Sequence, residues 1–349
     1  MIITHYGKKG SKMKKGFFAL VVLAGVFWAW GAALAEVPWK LVMDKDGIRA
    51  YARMIPGTNV QETRAVMTVD ATLATVNAVM RDFAGYPEWF PYYKKAELAE
   101  ERSKYDLDVY LVLGLPWPAR ERDMVMNCKA VYDLKAARGV VYLKAVENAK
   151  FPPNSKDIRI KNFTGSYVFE YISRDKTGVV FTFNMDMGGW IPTSVLNIMA
   201  KYNLYNTFVG MRRVVKKPSY IEAGKRSDER DIVSGVVDSD ANIKEVFRLR
   251  LQEFIGDRTF VDKVVDDPAL RESFFAPKNA LSENILYGWG SEKSKKEAIT
   301  RLLQSYLPRH AADPKAAEGL ASDKEVVETI LSGRGSFIKV LAARNCTLK

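Results

Sequence analysis

The most constraining stretch of this sequence is the junction between a strand with two unlike faces and a long apolar helix. Phe181, Phe183, Met185 and Met187 alternate with Thr182, Asn184 and Asp186, the period of two that marks a strand apolar on one side and polar on the other. Gly188-Gly189 breaks that strand. From about Pro192 to Lys216, Val195, Met199, Tyr202, Tyr205 and Val209, thickened by Ile198 and Phe208, recur at helical spacing. A half-apolar strand followed at once by a broadly apolar helix restricts the fold to a sheet on which that helix lies.

Upstream, Gly47–Arg53 and Val60–Val69 are rich in β-branched and aromatic residues, with turn-forming Ile55-Pro56-Gly57-Thr58-Asn59 between them. Asp70 or Thr72 can cap a helix whose apolar residues Leu73, Val76, Met80 and Phe83 share one side, and the prolines of Tyr86-Pro87-Glu88-Trp89-Phe90-Pro91 end it. Strand patterns return at Asp106–Leu113, Glu121–Tyr132, Gly139–Glu147, Asp157–Ile172 and Val179–Met187. Two strands, a helix, about five strands and a long helix, joined by short links, predict an α+β fold. Its antiparallel sheet would curve around the last helix.

The first 35 of the 349 residues stand apart. They hold five lysines and no acid, then an uncharged run from Phe17 to Ala35 ending in Ala33-Leu34-Ala35. This order predicts a signal peptide and export to the periplasm; the alternative is an uncleaved membrane anchor. Met13, just before Lys14-Lys15, is a second candidate start. The rest of the chain has 48 basic and 41 acidic residues, and the excess lies wholly in residues 36–218, with 27 against 20; residues 219–349 carry 21 of each. For an exported protein this favours transient contact with an anionic membrane surface, or merely a solvated basic face, over nucleic acid. Cys128 and Cys346 read as separate thiols.

The element order resembles the helix-grip fold of the START and polyketide-cyclase superfamily over about residues 39–217. The resemblance rests on Tyr86-Pro87-Glu88-Trp89-Phe90-Pro91, on Pro116-Trp117-Pro118-Ala119-Arg120-Glu121-Arg122-Asp123-Met124-Val125, and on Gly189-Trp190-Ile191-Pro192 leading into the long helix. It implies a tunnel between sheet and helix that holds a lipid or other hydrophobic molecule. Phe181, Phe183, Met185, Ile198, Met199, Tyr202 and Tyr205 are the candidate lining; simple core packing is the alternative for each. The resemblance also implies that Arg122 faces the cavity and pairs with an acid on the neighbouring strand, Asp108 or Asp106. Lys94, Lys95, Arg212, Arg213, Lys216 and Lys217 could touch anionic head groups during loading.

Catalytic readings have little to stand on. No histidine lies between residues 36 and 309, so His-based metal clusters and Ser-His or Cys-His schemes have no place in the first unit. Neither a phosphate loop nor a dinucleotide fingerprint occurs, so no catalytic residue, metal or cofactor is expected. A cyclase-like enzyme using the same cavity, and an envelope scaffold with a filled core, remain the rival functions. The domain reading is therefore a leader over 1–35, a START-like lipid-binding domain over 36–218, a linker over 219–240, and an α-helical region of unread role over 241–349. In that last region helical spacing is clearest at Asn242–Ile255, Lys293–Leu307 and Lys324–Leu331, with Pro308 and Gly333 as stops, and His310 reads as a loop residue.

Overall fold

The computed structural model describes residues 37–349 except 59, 192, 228–234, 236, 238 and 278–279, with residues 193–203 described by their backbone alone. The segment read as a leader lies outside the described residues. From Pro38 to Lys349 the chain is one compact unit.

Ten strands form one sheet: β1 (Lys40–Lys45), β2 (Ile48–Met54), β3 (Gln61–Val69), β4 (Tyr93–Ser103), β5 (Asp106–Leu113), β6 (Arg122–Asp133), β7 (Arg138–Val146), β8 (Ile158–Arg159), β9 (Asn162–Ser173) and β10 (Lys176–Asp186). Their order is β1-β2-β3-β10-β9-β7-β6-β5-β4, and the two-residue β8 runs parallel to the start of β6. The other ladders are antiparallel. The sequence patterns missed β1 and β4, which are the two edges of the sheet. Their residues are mostly exposed, so neither carries the apolar alternation that a half-buried strand needs.

Helix α1 (Leu73–Arg81) starts at Thr72, whose hydroxyl accepts from the Thr75 amide at 3.1 Å. It stops at Asp82, and Pro87 sits in the first turn of a separate short helix, α2 (Tyr86–Trp89). The proline thus opens α2, a role its preset φ allows, instead of ending α1. The long helix α3 (Thr193–Val214) packs Phe208, Met211 and Val214 against Ala65, Met67, Val179 and Phe181 on the inner face of the sheet. At Gly210 a Cβ would land on the Trp89 carbonyl, so the backbones of α2 and α3 are in direct contact. This is the α+β helix-grip arrangement that the strand and helix order implied.

The stretch expected to be a linker begins with a helix, α4 (Pro218–Lys225), which packs on α1. Then follow α5 (Asp240–Gln252), α6 (Arg258–Asp266), α7 (Pro268–Phe274), α8 (Leu281–Gly288), α9 (Glu292–His310), α10 (Lys324–Ser332) and α11 (Phe337–Ala342). These share a core that includes Phe247, Phe260, Leu302, Ile330 and Phe337. Gly333 stops α10 in the left-handed conformation (φ 66°), whereas Pro308 lies inside α9. His310 is therefore the last residue of α9, not a loop residue, and its Nε2 lies 2.7 Å from the Asp267 carboxylate.

The helical region packs on the outer face of β2, β3, β9 and β10. Ala280 and Leu286 pack on Tyr51, Val66, Ile172 and Val180. The Tyr51 and Ser294 hydroxyls lie 2.9 Å apart, Ser282 donates to the Ile172 carbonyl at 3.2 Å, and Arg64 donates to the Trp289 carbonyl at 2.8 Å. Arg250 of α5 donates to the carbonyls of Ala136, Ala137 and Tyr171, with an Nη2 2.9 Å from Oε2 of Glu170 on β9. Both side chains are at most 2% exposed.

Candidate functional site

Between the inner face of the sheet and α3 lies a cavity of about 1220 Å³, above the roughly 300–1,000 Å³ that suits drug-sized ligands. Alternation builds its wall. Met124, Met126 and Cys128 of β6, Phe163 and Tyr167 of β9, and Phe181, Phe183 and Met185 of β10 all project to the same side. Tyr167 and Phe181 stack at 4.1 Å, and Phe181 and Phe183 at 4.7 Å, so part of the wall is a rigid aromatic ladder. The methionines supply softer surface that adapts to a ligand's shape. Leu204 and Tyr205 of α3 and Met80 of α1 add to the lining from the helical side.

The interior is held neutral. Burial pushes the phenols of Tyr86, Tyr93 and Tyr167 above their ordinary range and the Cys128 thiol up to about 12. Tyr86 donates to the Met80 carbonyl at 2.7 Å, while the Tyr167 hydroxyl has no hydrogen-bond partner among the described residues. The charged residues on the lining, Lys45, Arg81, Lys104 and Asp186, are all exposed and belong to its rim. At that rim the Tyr205 hydroxyl bonds the Asp46 carboxylate, and the Lys45 ammonium sits 4.5 Å from the Tyr205 ring centroid.

Four of the residues singled out from sequence, Phe181, Phe183, Met185 and Tyr205, line the cavity. The side chains of Ile198, Met199 and Tyr202 lie outside the described residues. Arg122 and Asp108 require correction. Arg122 pairs with Leu113 across the β5–β6 ladder, whereas Asp108 pairs with Asn127 far along it. Alternation also puts Asp108 on the outer face, where Arg102 (2.6 Å), Asn127 (3.0 Å) and Asn148 (3.4 Å) donate to it. Asp106 likewise takes Arg102, at 2.7 Å. Arg122 is fully buried, yet its guanidinium is spent on main-chain carbonyls: Met187 (3.3 Å), Gly188 (3.0 Å), Trp190 (3.4 Å) and Arg120. Burial, and then the charge of Arg120, lower its pKa. Its work is to fasten the loop between β10 and α3 to the start of β6. The expected pairing failed because irregular alternation in β5 and β6 hid the register.

Five of the six basic residues proposed for head-group contact are engaged within the protein, and Lys216 is exposed. Lys94 pairs with Glu121, Lys95 with Glu97 at 2.8 Å, and Lys217 with Glu88. Arg212 donates to the carbonyls of Thr68, Asp46 and Gly47, and Arg213 to that of Glu88. Sequence reasoning missed Cys128, Phe163 and Tyr167 as lining, although the spacing Met124, Met126, Cys128 carried the signal.

Comparison with known proteins agrees with this architecture. The START domain family profile matches residues 30–219. An uncharacterized protein of Pseudomonas aeruginosa is 30% identical over 206 residues, spanning 58% of this chain and 99% of its own length. The phosphatidylcholine transfer protein of Mus musculus is 25% identical over 178 residues, 50% of this chain and 82% of its own. Among solved structures, a STAR-related lipid transfer protein fragment from Xanthomonas axonopodis is 24% identical with a TM-score of 0.47, covering 52% of this chain and 99% of that fragment. With the profile match spanning more than half of its length, this chain belongs to the START domain family.

Proposed function

We propose that this protein is a non-catalytic carrier that holds a lipid or another hydrophobic molecule between its sheet and α3, after export, for transfer or sequestration in the cell envelope. The observation that carries the reading is the cavity of about 1220 Å³ walled by aromatic and methionine side chains from both sheet and helix. Each CH₂ withdrawn from water there stabilises the complex by about 0.8 kcal/mol. A thiol and three phenols kept neutral by burial suit a lining for a hydrophobic ligand. The relatives named as lipid transfer proteins support the same class of ligand.

Membrane-surface contact is assigned to two tryptophans. Trp117, 91% exposed, and Trp190, 73% exposed, sit on neighbouring loops joined through Arg122, which bonds both the Arg120 and the Trp190 carbonyls. Exposed indoles favour a membrane interface. The deciding experiment is to express the full chain in a Gram-negative host, fractionate the cells, and purify the protein without detergent for native mass spectrometry. A lipid bound one to one in the periplasmic fraction is the expected result. An apo mass with no uptake from added phospholipid vesicles would overturn the carrier reading in favour of a scaffold, and recovery of the protein in the cytosol would overturn export.

A further inference from the structure

The packing of Tyr167 accounts for its ring but not for its hydroxyl. The ring stacks on Phe181 at 4.1 Å and lies parallel to Phe169 at 5.6 Å, contacts that a phenylalanine would make equally well. The side chain is 3% exposed, and its hydroxyl has no hydrogen-bond partner among the described residues. Of the described residues that line the cavity, Tyr167 is the one with a fully buried polar atom in that state. A phenol buried without an acceptor is destabilising, so the position is costly until something takes its proton in a hydrogen bond.

The surroundings narrow what that acceptor can be. Across the ladders Tyr167 faces Val141 of β7 and Phe181 of β10, both apolar. Burial, then the neighbouring Tyr93 and Cys128, holds its phenol above the ordinary range; burial, then Cys128, does the same for Tyr93. The three groups thus share one stretch of wall and keep their protons. Charged lining residues are elsewhere: Lys45, Arg81, Lys104 and Asp186 are exposed at the rim. A carboxylate or phosphate brought to Tyr167 would lose its hydration with no counter-charge among the described residues, which is strongly unfavourable. A carbonyl oxygen carries no charge and accepts from a phenol. A plain hydrocarbon would leave the hydroxyl as it is.

We propose that the Tyr167 hydroxyl is an internal anchor for a neutral carbonyl oxygen, so that the ligand is a lipid ester, amide or ketone held with that carbonyl inside the cavity. The assignment rests on the lipid-carrier reading and adds the chemical class of the ligand: neither a plain hydrocarbon nor a molecule whose charged group enters the interior.

The test compares the full-length protein with its Tyr167→Phe variant, which keeps the ring and removes the hydroxyl. Bound diphenylhexatriene, a hydrocarbon probe, is displaced by methyl palmitate, by palmitate, or by nonadecane, which has as many heavy atoms as the ester. The substitution is expected to raise the methyl palmitate midpoint about tenfold, because the buried carbonyl loses its donor. The nonadecane and palmitate midpoints should stay within about twofold, since the first has no acceptor and the second keeps its carboxylate in water at the rim. The lipid-free variant should melt no lower than the parent, as no hydrogen bond of the fold is lost. A methyl palmitate midpoint that does not move, or that rises together with that of nonadecane, would overturn the anchor and leave the cavity reading intact. A palmitate midpoint that rises as far as that of the ester would show that the hydroxyl takes a charged oxygen and overturn the assigned class. A clearly lower melting temperature would show a hydroxyl already engaged in the fold and overturn the anchor too. If the parent binds neither the probe nor any of the competitors, the carrier reading itself falls and the anchor with it.

Discussion

Replacing Arg250 with methionine tests how firmly the helical region is joined to the sheet. Arg250 and Glu170 are 2% and 1% exposed, and their ion pair spans α5 and β9. Without the guanidinium, the carbonyls of Ala136, Ala137 and Tyr171 lose a donor, and among the described residues Glu170 keeps only Arg138, 3.4 Å away and itself shared with Asp133 and Glu253. Stranding one member of a buried pair costs about 3–5 kcal/mol, a large part of a typical domain's total of roughly 5–15 kcal/mol. Burial already outweighs both arginines and raises the Glu170 pKa from 4.5 to about 7. The folded state therefore holds that proton more tightly than the unfolded chain, and stability contributed at this site falls as pH rises from 4.5 to 7. Removing Arg250 raises the folded-state pKa further and carries the fall above neutrality, so the variant should lose more stability at alkaline than at mildly acidic pH. Urea unfolding of Arg250→Met, Glu170→Gln and the double variant at both pH values measures the cycle. The double variant should recover about 2 kcal/mol relative to Arg250→Met. A loss below about 1 kcal/mol for Arg250→Met, or costs that add without coupling and ignore pH, would refute the view that this pair fastens the two parts.

Two further perturbations probe the elements around the cavity. Gly210→Ala should gain about 1 kcal/mol of helix propensity but put a Cβ onto the Trp89 carbonyl; overpacking of this kind costs about 1–3 kcal/mol, so a lowered urea midpoint is expected, and a raised one would contradict the α2–α3 contact. Replacing Trp117 and Trp190 together with serine should weaken association with anionic vesicles by about fivefold or more at unchanged thermal stability, since both side chains are exposed; unchanged association would remove these loops from the membrane-contact assignment.

The central strands, α1, α3 and the aromatic wall were legible because each buries one face against a neighbour and so carries a period. What escaped notice lacked one. β1 and β4 are edges: β1 is too short and irregular to show alternation, and the polar Lys94-Lys95-Ala96-Glu97-Leu98-Ala99-Glu100-Glu101 of β4 suits a solvated strand or a helix equally. The partners of Arg122 are main-chain carbonyls, which no residue pattern encodes, so a search confined to acidic side chains could not find them. The outer-face packing of the helical region did leave a trace: Ala65-Val66-Met67 and Val179-Val180-Phe181 are continuous apolar runs, the mark of strands covered on both sides. Read that way, they predict a second layer on β3 and β10, supplied by Leu286 and its neighbours.

That second layer bears on how the cavity opens. On the outer face, Tyr51, Val66, Ile172 and Val180 are packed under α8, and hydrogen bonds from Ser282, Arg64 and Ser294 fasten the same strands. Bending β2, β3, β9 or β10 outward to admit a ligand would have to break this packing and the buried Arg250–Glu170 pair together. Opening the cavity by bending the sheet is therefore costly. The inner cover is held differently. The loop entering α3 is tied to the sheet by Arg122, through carbonyl contacts of 3.0–3.4 Å to Met187, Gly188 and Trp190, and the Leu204–Thr207 segment of α3 lines the cavity itself. Trp190 lies on the loop entering α3, so contact of its indole with a bilayer would act directly on that loop.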